Sequence, residues 1–332
     1  MNQAKTKVSL LNLVPRFENE TVAASIQRAA DLAKFVEELG YERYWVGEHH
    51  NIKVLVCSAT ELVIQNILAQ TKTISVGSGG VLLPNHTNLQ IAEGYGTLAS
   101  LYPNRVELGV GRAAGTDVLT KELIYRQNIS DLRSYEASIK ELEQYFADDE
   151  DQDQVRAFNA IDTNVPVFVL GGSVNSARIA AKLGLPYAFA SHVNYENMEE
   201  VIDVYRNEFK PSDKLDKPYV ILALTAFIFE DNEKADQIAK ETIGKLKGVA
   251  LEKAKLYPHH DDENPTDISS AEKLFTGEKG LKIIGGPSQA LKQWLEIKEL
   301  IHPDEVMAST PLQSMDDLKE SYRIFKDIIE NN

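Results

Sequence analysis

Short apolar runs alternate with amphipathic segments along most of the chain, and this alternation restricts the possible folds more than any other feature. Residues 8–13 form an apolar run that ends before Pro15, which indicates a buried strand. Apolar residues from Val22 to Val36 are then spaced three and four apart and are followed by Gly40, which is typical of one helix face. Further strands are predicted at 44–46, 74–77, 106–110, 165–170, 187–191, 219–229 and 305–309.

Helical patterns lie between most of these strands. Ser58 and Glu61 have the spacing of a capping box, which predicts a helix from there to about residue 70. Pro287 is predicted in the first turn of a later helix. Eight strands separated by helices predict an α/β fold with a parallel sheet that closes into a (β/α)8 TIM barrel. An open, doubly wound sheet is the alternative.

Two polar stretches interrupt the alternation, at about 113–164 and 244–282, and we interpret them as insertions into the barrel. The acidic run at 148–153 and the charged cluster at 259–263 are interpreted as solvated loops. No linker rich in Pro, Gly or Ser divides the 332 residues. A single domain spanning residues 1–332 is therefore expected.

Charge and cysteine content limit the partners. The chain has 50 acidic residues against 35 Lys and Arg, a net charge of −15, which argues against a nucleic acid or an anionic membrane as partner. Cys57 is the single cysteine, which excludes an internal disulfide and a multi-cysteine metal site. No apolar run approaches the ~18 residues of a membrane span, and no apolar signal region opens the chain. We expect a cytoplasmic protein.

Polar residues and glycines recur directly after the predicted strands. Because ligands bind at the carboxyl ends of barrel strands, these positions are the candidates for a site. The segments concerned are Glu48-His49-His50-Asn51, Ser78-Gly79-Gly80, Gly111-Arg112, Gly171-Gly172-Ser173 and Ser191-His192.

The acid and two histidines at 48–50 suggest either a metal site or acid–base chemistry. Neighbouring residues on a strand point to opposite sides, so these three side chains are not expected to converge, and a metal would need His86 or His192 as well. We predict no metal. A histidine suits proton transfer near neutral pH, and a purely structural role is the alternative.

Glycines and a cation at three strand ends point to a ligand with a phosphate. The glycines at 77–80 indicate either a tight turn or close approach to a flat ligand. Residues 109–114 fit the G-x-G-x-x-G/A spacing, but an irregular stretch follows, so we reject a dinucleotide fold. Arg112 remains as a phosphate ligand or as a member of a surface ion pair.

The segment 171–176 lies between a strand and a helix. A helix N-terminus attracts anions, and Ser173 and Ser176 offer hydroxyl donors. Plain N-capping by Ser173 or Asn175 is the alternative. Because Arg112 and Ser173 follow consecutive strands, one phosphate shared between them is expected.

Three ordered motifs carry a family resemblance. Residues 44–50, 76–86 and 105–112 together resemble the bacterial luciferase-like flavin-dependent oxidoreductases, with matching order and spacing across about 8–115. The likeness returns at 165–192. The resemblance implies a barrel that binds FMN, or in some branches the deazaflavin F420, at the carboxyl ends of the strands.

The resemblance also implies roles for single residues. His49 matches the active-site histidine of the family, and Arg112 matches the arginine that binds the flavin phosphate. The pair Gly79 and Gly80, after Ser78, matches the glycines that are often joined by a cis peptide beside the flavin ring. The loop and helix start that close the phosphate site are matched by Gly172, Ser173 and Ser176.

Two departures limit what is carried over. Gly111 stands where the luciferase α-chain has a reactive cysteine, and Gly172 stands where it has an acidic side chain. Thiol chemistry is therefore not expected, and Gly172 offers only its backbone. The poorly matching regions 113–164 and 244–282 are expected to carry the substrate pocket.

The prediction is an FMN-dependent, monooxygenase-like oxidoreductase. It would take reduced FMN from a separate reductase and use O2 on a small organic substrate, as a homodimer. An F420-dependent hydride-transfer enzyme and a flavin-binding protein without turnover are alternatives on the same fold. A metal-dependent barrel hydrolase that uses His49 and His50 is a third alternative.

Overall fold

The computed structural model describes residues 5–113, 115–125, 134–148, 154–256 and 280–332. The strands are β1 (Lys7–Asn12), β2 (Arg43–Val46), β3 (Ser75–Leu82), β4 (Val106–Gly111), β5 (Val167–Gly171), β6 (Tyr187–Phe189), β7 (Val220–Ile228), β8 (Lys282–Gly285) and β9 (Glu305–Ser309). The helices are α1 (Val22–Glu38), α2 (Thr60–Leu68), α3 (Asn88–Leu101), α4 (Val118–Tyr125), α5 (Tyr135–Phe146), α6 (Val174–Leu183), α7 (Met198–Glu208), α8 (Asn232–Leu256), α9 (Pro287–Ile301) and α10 (Met315–Asn331).

Eight parallel strands close into a barrel. Consecutive strands pair from β1 to β7, and β9 pairs with both β7 and β1, which completes the ring. The predicted TIM barrel is thus confirmed, and the open sheet is wrong. The extra strand β8 pairs only with residues 225–228 of β7, and Leu281 N–H donates to the Ser191 carbonyl just after β6 (2.7 Å).

The alternation of side chains along the strands builds two apolar layers. One set of side chains packs against the helices and forms the main core. The alternate set fills the inside of the barrel and consists of Leu11, Trp45, Phe168, Ala188, Ile221, Ala223 and Met307. α1 shows the same logic, since Ala29, Ala33 and Val36 are buried as their spacing predicts, while Val22 at its start is exposed.

The two predicted insertions are partly regular structure. α4 and α5 lie within 113–164, and α5 buries Ile139, Leu142 and Phe146 and packs against α3, so the irregular assignment was wrong there. These positions are spaced three and four apart, which is a helical period within a polar segment. α8 likewise continues through residues 244–256. The parts of the two insertions at 114, 126–133, 149–153 and 257–279 lie outside the described residues, as does the cluster at 259–263.

The predicted capping box at the start of α2 is also wrong. The helix begins at Thr60 with Ala59 as its N-cap, and no side chain caps it. The carbonyl of the preceding Cys57 instead accepts from His49 N–H (3.0 Å), which holds the chain in the barrel mouth before the helix starts. Within the described ranges, no helix combines the length and apolarity needed to cross a membrane.

Candidate active site

The carboxyl ends of β2 to β6 bring the predicted site residues to one end of the barrel. Parallel strands end at the same face, so the segments after them meet there regardless of their distance along the chain. The segments concerned are 48–50 after β2, 79–86 at the end of β3, 112 after β4, 172–176 after β5 and 192 after β6. The side chains at this face nevertheless form groups with different chemistry.

Glu48 is the centre of a buried hydrogen-bonded group. Its Oε1 atom lies 2.6 Å from His50 Nε2, 2.9 Å from His86 Nε2 and 2.9 Å from Asn85 Nδ2, and its Oε2 atom accepts from Leu82 N–H (2.9 Å). Burial alone would raise the pKa of Glu48, but the hydrogen bonds from His50 and His86 outweigh it and hold this pKa at about 2. The nearby carboxylate in turn raises the pKa of His86 against the effect of burial.

The same group has the composition of a metal site. Ligand atoms of Glu48, His50 and His86 all lie within 4.8 Å of one another. Both carboxylate oxygens of Glu48 already accept hydrogen bonds, one from Asn85 Nδ2 and one from Leu82 N–H. We therefore interpret the group as a charge cluster that stabilises the loop after β3. His49 does not belong to it, which removes the pair His49 and His50 on which the hydrolase alternative depended.

His49 does not contribute a ligand atom to that cluster and is the electrostatic neighbour of a second histidine, His192. Its Nδ1 atom lies 3.3 Å from the Gly47 carbonyl. Burial lowers the pKa of His49 to about 4, and burial together with the proximity of His49 lowers the pKa of His192 to about 4. Nδ1 of His192 is buried and makes no hydrogen bond within the described part of the chain. Both imidazoles are therefore neutral at pH 7, when each offers one donor and one acceptor.

The glycine segment of β3 is constrained by its own neighbours. Ser78 is buried, and its hydroxyl donates to the Gly109 carbonyl (2.9 Å). The peptide bond between Gly79 and Gly80 is cis, as the resemblance implies. A Cβ at Gly79 would lie 2.8 Å from Leu11 Cδ1, and one at Gly80 would lie 2.7 Å from the Gly109 oxygen. Strand packing alone thus requires glycine at both positions, whether or not a ligand is bound.

Arg112 is exposed directly after β4, and no acid in the described part of the chain pairs with it. Its side chain makes no hydrogen bond or ion pair with any described residue, so the predicted alternative of a surface ion pair finds no support. Burial raises the pKa of the neighbouring Tyr135, and the positive charge of Arg112 partly opposes this rise. The cation is therefore available at the barrel mouth.

The start of α6 lies on the next strand of the barrel, because β5 pairs with β4. Ser173 and Ser176 form a capping box, in which Ser173 Oγ accepts from Ser176 N–H (3.3 Å) and Ser176 Oγ accepts from Ser173 N–H (3.3 Å). The predicted N-capping by Ser173 is confirmed. A Cβ at Gly172 would meet no atom within 4 Å, so the space in front of this helix end is open.

Tyrosines connect the two halves of this anion-attracting region. Tyr135 Oη donates to the Val110 carbonyl (2.8 Å), and Tyr187 Oη lies 3.0 Å from Ser176 Oγ. Burial raises the pKa of Tyr135, and the charge of Tyr187 adds to this rise. Because β4 and β5 are adjacent, Arg112 and the N-terminus of α6 follow neighbouring strands at the same end of the barrel, and a phosphate shared between them stays a prediction.

Comparison with known proteins decides the family. The model of the luciferase-like monooxygenase family matches residues 8–301. The chain belongs to this family. The uncharacterized protein YvbT of Bacillus subtilis is 40% identical over 99% of this chain and 99% of its own length. A luciferase-like monooxygenase of Escherichia coli is 40% identical over 69% of this chain and 68% of its own. The N-acetyl-S-alkylcysteine monooxygenase of Bacillus subtilis is 28% identical over 97% and 98%.

Solved structures of luciferase-like proteins share the fold. Apo-MsnO8 superposes with a TM-score of 0.82, at 28% identity over 99% of this chain and 98% of that one. The oxygenating constituent of a 3,6-diketocamphane monooxygenase from Pseudomonas putida, in complex with FMN, has a TM-score of 0.71 at 15% identity, over 99% of both chains. An F420-dependent secondary alcohol dehydrogenase has a TM-score of 0.63 at 15% identity, over 98% of both chains. Family membership supports an oxidoreductase with a small-molecule substrate.

A cavity of about 820 Å³ lies beside these groups, between β1, β7 and β9 of the luciferase-like barrel and α8. None of the predicted site residues lines it, but His192 does. Since His192 is the neighbour of His49, the cavity adjoins the predicted catalytic histidine. Lys245, Leu246 and Lys282 also line it, and they lie in the region 244–282 that was expected to carry the substrate pocket. The rest of the lining was not predicted, because it comes from segments that are far apart between residues 11 and 322.

Proposed function

We propose that this protein is an FMN-dependent monooxygenase-like oxidoreductase that uses reduced FMN and O2 on a small organic substrate. The observation that carries the proposal is the exposed, unengaged Arg112 beside the capped N-terminus of α6, with open space at Gly172. A cation, a helix N-terminus and glycine-exposed amides are the donors that suit a phosphate monoester. The residues present therefore fit the phosphate of FMN.

Different residues would serve the other parts of the cofactor. Arg112, Ser173 and Ser176 would hold the phosphate, and the segment from Ser78 to Gly80 would lie beside the flavin ring. Bound reduced FMN would supply the electrons with which O2 is activated. The chain itself would orient the ring, exclude water from the barrel mouth and offer the neutral imidazole of His49 as a hydrogen-bond or proton-transfer partner.

One relative favours oxygen chemistry over hydride transfer. The N-acetyl-S-alkylcysteine monooxygenase matches nearly the whole chain at 28% identity, whereas the F420-dependent structure shares the fold at 15%. We therefore place FMN and O2 first and treat F420 as an outcome of the test.

The partners follow from this reaction. A separate reductase would supply reduced FMN, and we propose a homodimer built from one barrel domain per chain. Exposed leucines on two helices, Leu62 on α2 and both Leu119 and Leu123 on α4, support a protein interface because they are 72%, 62% and 62% exposed. Sedimentation of the purified protein would give the oligomeric state.

The proposal is tested by titrating the protein anaerobically with reduced FMN, reduced riboflavin and reduced F420, and then mixing each sample with air. We expect saturable FMN binding and slower release of hydrogen peroxide than from free reduced FMN. Binding with unaltered reoxidation would contradict turnover and leave a flavin-binding protein. Tight binding of F420 without FMN would move the function to deazaflavin chemistry.

A further inference from the structure

We propose that the cavity beside the barrel mouth binds an amphipathic organic anion, an apolar chain with a carboxylate, and that Arg16 and Lys53 select the charge. The inference rests on the proposed function in one respect, since it identifies this molecule as the substrate class. Binding of the anion itself requires only the protein, without a bound flavin.

The body of the cavity is apolar. Side chains from five separate parts of the chain line it, among them Leu13, Leu55, Phe227, Ile243 and Leu312. Leu55 and Leu312 are buried and Phe227 is fully buried, so these positions form a wall around the cavity. A wall of this kind favours a hydrocarbon segment, because its transfer from water contributes roughly 25 cal/mol per Å² of apolar surface.

The charges at the cavity are opposite to those of the protein as a whole. The chain carries a net charge of −15, yet four cations and only two acids line this cavity in the described part of the chain. They are Arg16, Lys53, Lys245 and Lys282 against Glu18 and Asp317. Asp317 is already paired with Lys234, which lies outside the lining (2.9 Å). Lys234 also pairs with Glu320 (2.7 Å), so these neighbours leave the excess of two positive charges in the lining unchanged.

Arg16 and Lys53 are held on one rim of the cavity. Pro15 and Leu55 form an antiparallel bridge, and Arg16 N–H donates to the Val54 carbonyl (2.8 Å). This pairing places the two cations on adjacent segments. Nε of Arg16 donates to the Glu20 carbonyl, and this bond fixes the side chain without neutralising it (3.0 Å).

The salt bridges of the described residues leave both cations without an acidic partner. Neither Arg16 nor Lys53 forms an ion pair with a residue in the described ranges. The overall negative field of the protein disfavours anions, so a site for one needs local cations within a Debye length, about 8 Å at physiological ionic strength. This rim supplies them next to an apolar wall.

The position of the cavity fits a substrate. His192 lines it and is the electrostatic neighbour of His49, so a chain bound along the wall would end close to the predicted catalytic histidine. The carboxylate would stay at the rim with Arg16 and Lys53, and the apolar part would reach the barrel mouth.

The test compares two ligands that differ in one charge. N-octanoylglycine is an anion, and N-octanoylglycinamide is neutral and nearly the same size. We expect isothermal titration of the protein without flavin to show at least about tenfold tighter binding of the anion. The double variant Arg16→Gln/Lys53→Gln should lose most of this preference and keep its affinity for the amide within about twofold.

Two further variants make the outcome decisive. Lys217→Gln removes an exposed cation just before β7, at the opposite end of the barrel, and should leave both affinities unchanged. Glu18→Gln removes the unpaired acid from the rim and should tighten binding of the anion two- to threefold, roughly the scale of an exposed charge contact. Circular dichroism of each variant verifies that it is folded.

Equal affinity of the wild-type protein for the two ligands would overturn the inference, and so would undetectable binding of both. A reduced FMN titration of the same samples separates the two proposals. Anion preference without FMN binding would defeat the proposed function alone, whereas FMN binding without anion preference would defeat this inference alone.

Discussion

Two groups of polar residues lie at the same end of the barrel and differ in one respect. Glu48 is buried and hydrogen-bonded to His50, His86 and Asn85, whereas Arg112 is exposed after β4 and forms no ion pair with a residue in the described ranges. A buried charge must be paired to be tolerated, so the first group is explained by folding alone. An exposed cation needs no partner to be tolerated, so folding neither requires nor explains Arg112 at this strand end.

The largest effect is expected from a substitution that disrupts the buried group around Glu48. Glu48→Ala removes the acceptor of four hydrogen bonds and leaves His86 without its carboxylate partner. We expect the free energy of unfolding to fall by about 3–5 kcal/mol in urea denaturation. Glu299→Ala, on the exposed face of α9, is the control and should change stability by less than about 0.5 kcal/mol. If Glu48→Ala lowered the free energy of unfolding as little as the control does, the cluster would not stabilise the fold.

A second pair of variants compares a packed glycine with an open one. Gly80→Ala places a methyl group 2.7 Å from the Gly109 oxygen and should cost about 1–3 kcal/mol of stability. Gly172→Ala meets no atom within 4 Å and should change stability by less than about 0.5 kcal/mol. Thermal and urea unfolding measure both. Equal costs would refute the distinction between the strand interior and the open end of α6.

Removing the capping box of α6 should have an intermediate to small effect on the free energy of unfolding. Ser173→Ala should reduce the free energy of unfolding by about 1 kcal/mol, because Ser176 N–H loses its acceptor. Thr21→Ala removes the corresponding cap of α1 and should cost a similar amount. Only the Ser173 variant should also weaken FMN binding in a titration. Weakening in both variants, or in neither, would argue against a phosphate at α6.

The last prediction concerns how the stability of the protein changes as the pH falls below 7. The pKa of His49 and that of His192 fall from 6.5 to about 4 on folding, so both contribute stability above pH 6.5 that is lost as the pH falls toward 4. Glu48 has a lowered pKa of about 2 and loses its contribution only below about pH 4.5. NMR of the imidazole protons should show no titration of His49 above pH 5. A midpoint near 6.5 would contradict its burial.

The sequence predicted the positions that follow strands, because the barrel brings all strand ends to one face. It also predicted that Glu48, His49 and His50 would not all converge, since side chains alternate along an extended segment. It could not predict that Glu48 and His50 meet His86, because that contact depends on the path of the loop after β3. N-capping by Ser173 was predictable because a cap and its helix are close in sequence.

Other parts of the structure depended on tertiary context. α5 buries four residues of an otherwise polar segment, and its packing against α3 establishes a helix that the polar composition of the region did not indicate. The cavity is built from residues that are far apart in the chain and have no motif in common. Arg112 could be placed at a strand end from the sequence, but its freedom from ion pairs is a property of the folded surface.

The central claim is that Arg112 and the start of α6 bind the phosphate of FMN. Its most direct test is the affinity of Arg112→Ala for reduced FMN and for reduced riboflavin, which lacks the phosphate. We expect FMN binding to weaken about 10- to 100-fold, the worth of a hydrogen bond to a charged group, while riboflavin binding stays within about twofold. Arg178→Ala, which removes an exposed cation from the side of the same helix, should change neither affinity. Equal losses for both ligands, or no loss of FMN binding, would contradict the account.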